Sequence, residues 1–147
     1  MWYKKLTTNK KRKKMEKQEL QEILRLHRLW LMGRPQGRRA ILQGIDLRYV
    51  DLRGVCLRRA DLQGSDFRYT DFRHADLRRA DLWCADLQGS DFRYAVLQDA
   101  GFQCACLQYT DFRRADLRYA DLRYTDLRRT YLQGADLRDA RFLDTEL

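Results

Sequence analysis

Ala60-Asp61-Leu62-Gln63-Gly64-Ser65-Asp66-Phe67-Arg68-Tyr69 is one five-residue pattern written twice, and that pattern decides the fold. Each copy opens on a small residue, continues with an acid, centres on a large apolar residue and closes on two more residues. The same ten residues recur unchanged at Ala85–Tyr94. Working outward, every fifth residue from Leu42 to Leu147 is Leu or Phe, 22 positions without an exception. Two residues before each stands a small or β-branched residue, from Ala40, Ile45, Val50 and Val55 to Thr145. The residue just before the Leu or Phe is usually Asp, and the residue just after is usually Arg or Gln.

A period of five fits neither an α-helix nor a β-strand, whose side chains repeat every 3.6 and every 2 residues. On a helix these Leu and Phe residues would spread around the whole surface and form no stripe. A chain that turns a corner every five residues does better, because each side then sends one large and one small residue inward. Stacked coils of this kind bury a continuous core and pair their backbones along the axis. The expected fold class is an all-β solenoid, with small residues at the corners letting the chain close tightly.

The stretch resembles the pentapeptide repeat family, whose motif is A(D/N)LXX. Ala60-Asp61-Leu62-Gln63-Gly64, Ala75-Asp76-Leu77-Arg78-Arg79 and Ala135-Asp136-Leu137-Arg138-Asp139 are representative copies. The resemblance covers residues 40–147 and implies a right-handed quadrilateral parallel β-helix with four repeats, or twenty residues, in each coil. That gives about five and a half coils, and at ~4.8 Å per coil a rod of roughly 26 Å. An offset of 25 residues moves the duplicated decapeptide to a different face. Most of the surface is therefore expected to be lattice, with function where the lattice is broken.

The leader resembles one that precedes such repeats in bacterial and phage members, from Glu19-Leu20-Gln21-Glu22-Ile23-Leu24 through His27, Leu29-Trp30-Leu31 and Gly33. Leu20, Ile23, Leu24, His27, Trp30 and Leu31 follow the spacing of one apolar helix face. Gly33 and Pro35 are natural stop signals. A β-helix end exposes unpaired backbone and the apolar axis, so residues 16–32 are predicted to be a helical plug. The expected organisation is a basic, disordered tail over 1–15, an N-terminal α-helical cap and linker over 16–39, and the β-helix over 40–147.

Charge is divided unevenly between these parts. The net charge is +9. Residues 1–39 hold 13 basic and 3 acidic side chains, whereas residues 40–147 hold 17 basic and 18 acidic ones. The rod is therefore almost neutral, which argues against a nucleic-acid-binding body. Lys10, Lys11, Arg12, Lys13 and Lys14 form a basic cluster. They predict a solvated tail with at most weak, salt-sensitive contact to nucleic acid or an acidic partner, since no aromatic platform accompanies them. No apolar run is long enough to span a bilayer, and the Lys-rich start is not followed by an apolar signal segment. With Cys56, Cys84, Cys104 and Cys106 read as thiols, the expected location is cytoplasmic.

No nucleophile array, phosphate loop or nucleotide fingerprint stands out, and no enzyme activity, cofactor or metal is expected. His27 belongs to the helix's apolar face and His74 points outward. The aspartates recur every five residues, so they read as lattice. Cys104-Ala105-Cys106 with Cys84 and His74 does not match a zinc signature. Cys84 and Cys104 should stack one coil apart, a spacing at which a disulfide is conceivable but disfavoured in a reducing compartment. On one face Arg53, Arg73, Arg93 and Arg113 accompany Asp51, Asp71, Asp91 and Asp111, which reads as a zwitterionic surface of cross-coil ion pairs rather than a phosphate grip.

Two surfaces remain as candidates. Val96 with Gln98, Gly101 with Gln103, and Cys106 with Gln108 lose the charged pair in three consecutive repeats, and Trp83 and Cys84 belong one coil below Gln103 and Cys104. This neutral band is the expected landing place for a protein partner. Leu132, Leu137, Phe142 and Leu147 are expected to leave an apolar end open and to join two copies in a homodimer. The leading function is a non-enzymatic protein-binding scaffold. The family resemblance implies an alternative, protection or inhibition of DNA gyrase or topoisomerase IV by DNA mimicry, which requires a strongly acidic surface that this rod lacks. Nucleic-acid binding through the leader is a third reading.

Overall fold

A computed structural model describes residues 12–146. Parallel bridges join each residue before a core position to its counterpart twenty residues on: Asp51 to Asp71, Asp71 to Asp91, Asp91 to Asp111, and Asp111 to Tyr131. Four repeats therefore make one coil and four faces. The pairing uses both backbone groups, with Phe72 N–H donating to Asp91 C=O at 2.8 Å and Asp91 N–H donating to Thr70 C=O at 3.0 Å. At each corner the chain closes a β-turn, as where Thr70 N–H reaches Phe67 C=O at 3.0 Å. Two of every five residues lie in the turn, so extended backbone shrinks to a single bridge on most faces. Regular strands are limited to β1 (Lys13–Lys14) and β2 (Ile45–Asp46) among the described residues.

The corners differ from the sequence expectation. The second central turn residue takes a positive φ, the mark of a type II turn. Gly44, Gly54, Gly64, Gly89 and Gly134 fill some of these places, but 16 non-glycine residues, including Tyr49, Arg59, His74 and Tyr94, fill others. The small residues stand immediately after the turn, where Ala60, Ala75, Ala80 and Ala85 point into the core and are buried. Ser and Thr at the same position satisfy their hydroxyls on coil carbonyls. Thr70 Oγ1 donates to Leu47 C=O at 2.7 Å and Thr110 Oγ1 to Leu87 C=O at 2.9 Å, so no buried hydroxyl there lacks a partner.

The large positions fill the axis. Phe72, Phe92 and Phe112 stack one above the next, with ring centroids 4.6 Å and 5.3 Å apart. Phe102 meets both Phe92 and Phe112 edge-on. Leu42 through Leu122 are buried at every core position.

In front of the coils, α1 spans Lys17–Leu31. It ends in a Schellman motif, with Gly33 N–H donating to Trp30 C=O and Arg34 N–H to Leu29 C=O, both at 3.0 Å. Leu20 is buried in the core cluster, and Ile23 and Leu24 pack against it. His27 Nδ1 accepts the Ala40 N–H at 3.0 Å, which ties the helix to the first coil. Residues 12–14 depart from the disordered tail expected there. Lys13 and Lys14 of β1 pair in parallel with Ile45 and Asp46 of β2, because the first coil leaves its lower edge unpaired. Arg12 Nε donates to Gly64 C=O at 2.9 Å and its guanidinium meets Asp66 at 3.2 Å.

Candidate functional site

The charged lattice has a defined geometry. An Arg after the core residue folds back on the Asp of its own repeat as a bidentate fork: Arg53 Nε and Nη2 donate to Asp51 at 2.9 Å and 2.6 Å. The same guanidinium approaches the next coil's acid more loosely, Arg53 to Asp71 at 3.7 Å and Arg73 to Asp91 at 3.7 Å. The ion pairs of this face thus run first within a repeat and only second across coils. The Arg hydrogen bonds hold the Asp51 carboxyl at about 2, well below the usual carboxylate range.

Gln behaves differently, and this explains the neutral band. Gln98 Nε2 donates to Asp116 at 2.6 Å, Gln103 Nε2 to Asp121 at 2.8 Å, and Gln108 Nε2 to Asp126 at 2.6 Å. Each reaches up to the next coil, as Gln63 does to Asp81 at 2.6 Å although its own repeat carries Asp61, so a Gln at this position spans coils whatever residue stands two places before it. The three repeats lie on three different faces, since Val96, Gly101 and Cys106 bridge separate columns. The structure therefore forms them into a belt around the rod and not one flat patch. Trp83 is 43% exposed on this belt. Cys84 is buried against Cys104, and burial followed by the neighbouring Cys104 pushes its thiol up to about 12. No disulfide joins the cysteines.

The other candidates are placed as follows. Lys10 and Lys11 lie outside the described residues, and so does Leu147. Arg12 is engaged by Asp66, Lys13 meets Glu19 at 3.1 Å, and Lys14 is exposed. At the far end Leu132 and Leu137 are partly buried against the core, while Phe142 and its neighbour Leu143 are 46% and 49% exposed. His27 is buried, and desolvation pushes its imidazole down, with the Arg39 and Arg58 charges adding to the effect. Among the described residues no cluster of His, Cys, Asp or Glu is arranged to hold a metal ion, and no helix is long and apolar enough to cross a membrane.

A family profile described as "Pentapeptide repeats" matches in eight copies across residues 38–64, 45–83, 56–93, 80–118 and 115–147. The chain belongs to the pentapeptide repeat family. Members of this family adopt a right-handed β-helix, in keeping with the twenty-residue coil. Among solved structures, a pentapeptide repeat protein from Nostoc PCC 7120 is 33% identical over 77% of this chain and 93% of its own, with a TM-score of 0.56. A pentapeptide repeat protein of the Arabidopsis thaliana thylakoid lumen is 31% identical over 69% of this chain and 68% of its own, with a TM-score of 0.52. No curated protein matches the chain.

Two features of this pentapeptide repeat protein escape a reading that considers one repeat at a time. The first is aromatic stacking along the corners, where Tyr49 lies on Tyr69 at 5.2 Å and His74 on Tyr94 at 5.1 Å. The second is a cleft of about 430 Å³ beside α1, lined by Trp30, Leu31, Arg58, Arg59, Arg78 and Arg79. Both become visible in the sequence when the second residue after each core position is compared at intervals of twenty.

Proposed function

We propose that this pentapeptide repeat protein is a non-enzymatic binding module that presents a rigid rod to a protein partner at the belt around Trp83. The observation that carries this reading is a half-exposed Trp at a position that elsewhere holds mostly Arg or Gln, one coil below the second of three consecutive repeats that lack the usual acid. Aromatic surface without charge is what partner burial favours. The forks also argue against acid–base catalysis, because the carboxylates they engage are spoken for by guanidinium. In the same reading α1 caps the first coil, and the four thiols suit a cytoplasmic protein. DNA mimicry gains nothing from this geometry, since each forked Asp is neutralised by the Arg two residues on. Binding of nucleic acid through the leader is weakened likewise, because Arg12 is taken by Asp66.

The test is a pull-down from the native host with the full chain and with the double variant Trp83→Arg, Cys106→Asp. Both replacements install residue types that the lattice uses elsewhere. A specific partner captured by the wild type is expected to be lost or reduced at least about ten-fold with the variant, while thermal unfolding stays the same. Equal capture by both proteins removes the belt from consideration.

A further inference from the structure

The near-zero charge of the rod conceals a local surplus. On the face that runs through Leu57, Leu77 and Leu97, the two residues after each core position are Arg58-Arg59, Arg78-Arg79 and Gln98-Asp99. Arg38-Arg39 precede them by one coil. The lattice ordinarily provides an Asp two residues before each first Arg, but Cys56 and Val96 stand at those places here. Arg58 therefore has no acid in its own repeat. It comes only within 3.9 Å of Asp76, which is already forked by Arg78 at 2.6 Å. Its Nε is buried and has no hydrogen-bond partner. Arg59 contacts no carboxylate among the described residues; its guanidinium lies over the Trp30 ring at 5.2 Å. Arg79 meets Asp99 at 3.6 Å. Four guanidinium groups and one carboxylate, Asp99, line the cleft, Asp76 behind them is held by Arg78, and Arg39 adjoins Arg59.

We propose that this cleft binds a small molecule bearing a diphosphate group. Arginine is the side chain suited to bidentate recognition of phosphate. The four groups form two columns on two rungs separated by ~4.8 Å. Asp76 and Asp99 already engage Arg78 and Arg79, so the surplus charge sits with Arg58 and Arg59; a monocarboxylate would offset only part of it, whereas two linked phosphates carry enough charge to offset it and are long enough to reach both rungs. The arrangement is preorganised: Trp30 holds Arg59 in place, and Arg39 Nε donates to the Arg59 carbonyl at 2.6 Å. The indole itself is not a stacking platform for a base, since His27 stacks against it at 5.5 Å and Arg59 lies over it too. A cavity of about 430 Å³ is within the range of small-ligand sites and leaves room for a substituent beyond the diphosphate. The site goes beyond the partner-binding reading and does not depend on it.

The experiment is calorimetric titration of the full chain with inorganic diphosphate at fixed ionic strength. The comparison variants are Arg59→Gln with Arg79→Gln, Cys56→Asp, and Arg118→Gln. Arg118 lies on the same face but is forked by Asp116 at 2.8 Å, so its variant is expected to bind like the wild type. The double Arg variant is expected to weaken binding at least about ten-fold. Cys56→Asp removes no arginine and restores the lattice's own residue. By giving Arg58 a partner it is also expected to weaken binding, and it decides the matter if the double variant does not fold. Trp83→Arg with Cys106→Asp should leave diphosphate affinity unchanged, which separates this site from the belt. The proposal is overturned if diphosphate shows no saturable binding, if Arg118→Gln weakens it as much as Cys56→Asp, or if a hexaglutamate peptide binds where diphosphate does not.

Discussion

At the scale of single residues, the Asp–Arg fork is the repeating unit of this surface, and it makes stability depend on pH in a definite direction. Arg hydrogen bonds lower the Asp51, Asp126 and Asp136 carboxyls to about 2, from an ordinary value of 3.8. A carboxyl with a depressed folded-state value contributes stability above its unfolded value and loses that contribution as pH falls through the folded one. The forks should therefore be fully effective above about pH 4 and be lost progressively toward pH 2. Asp86 opposes this weakly: its own repeat provides Gln88 in place of Arg, and burial pushes its carboxyl up. The melting temperature is expected to be level from pH 7 to about pH 5 and to fall steeply below about pH 4. A flat profile to pH 2 in thermal scans would show that the forks add nothing.

At the scale of elements, the coil was legible and its joints were not. The period of five and the alternation of large with small inward residues are visible in one dimension, because each repeat obeys them by itself. Positive φ at Tyr49, Arg59 and Tyr94 was not visible, because those side chains carry no signature of the left-handed region. Likewise Arg12 reads as one charge among five until Asp66, 54 residues away, is brought beneath it. The arginine cleft arises from two columns that meet only across coils, whereas the belt shows along the chain itself as a gap in the charge pattern. Gly37 is another joint the sequence does not advertise. A Cβ there would lie 2.2 Å from the Trp30 nitrogen and 2.4 Å from its Cα, inside the backbone of the last turn of α1. The linker passes the helix so closely that Arg38 N–H donates to Leu26 C=O at 3.0 Å. Gly37→Ala must therefore push the linker off the helix and strain the His27–Ala40 bond, at a cost of about 2–3 kcal/mol. Gly54 is the control: its corner is open, and only its φ of +63° resists a side chain. Gly54→Ala should cost about 1 kcal/mol. Urea unfolding that ranks the two in the opposite order would mean that the helix–linker contact is loose.

At the scale of the whole molecule, the two ends of the rod are treated differently. The first coil has Leu20, Ile23 and Leu24 of α1 against its core, and β1 along part of its edge. Among the described residues no helix or strand packs on the last coil. Phe142 and Leu143 are about half exposed there, and Leu132 and Leu137, which correspond to fully buried residues in earlier coils, are only partly covered. An apolar coil end with unpaired backbone is a surface on which another chain can add. A second copy offers the same surface to the first, and two ends meeting about a two-fold axis close the assembly without leaving a further edge to propagate. A homodimer joined end to end is therefore expected at micromolar concentration, measurable as a doubled mass by light scattering. Phe142→Glu with Leu143→Glu places charge on both exposed apolar residues while leaving every fully buried core position intact. It should convert the dimer to monomer with little change in the unfolding transition of the coils. A wild-type protein that scatters as a monomer refutes the dimer, and a double variant that remains dimeric shows that the copies meet elsewhere on the rod.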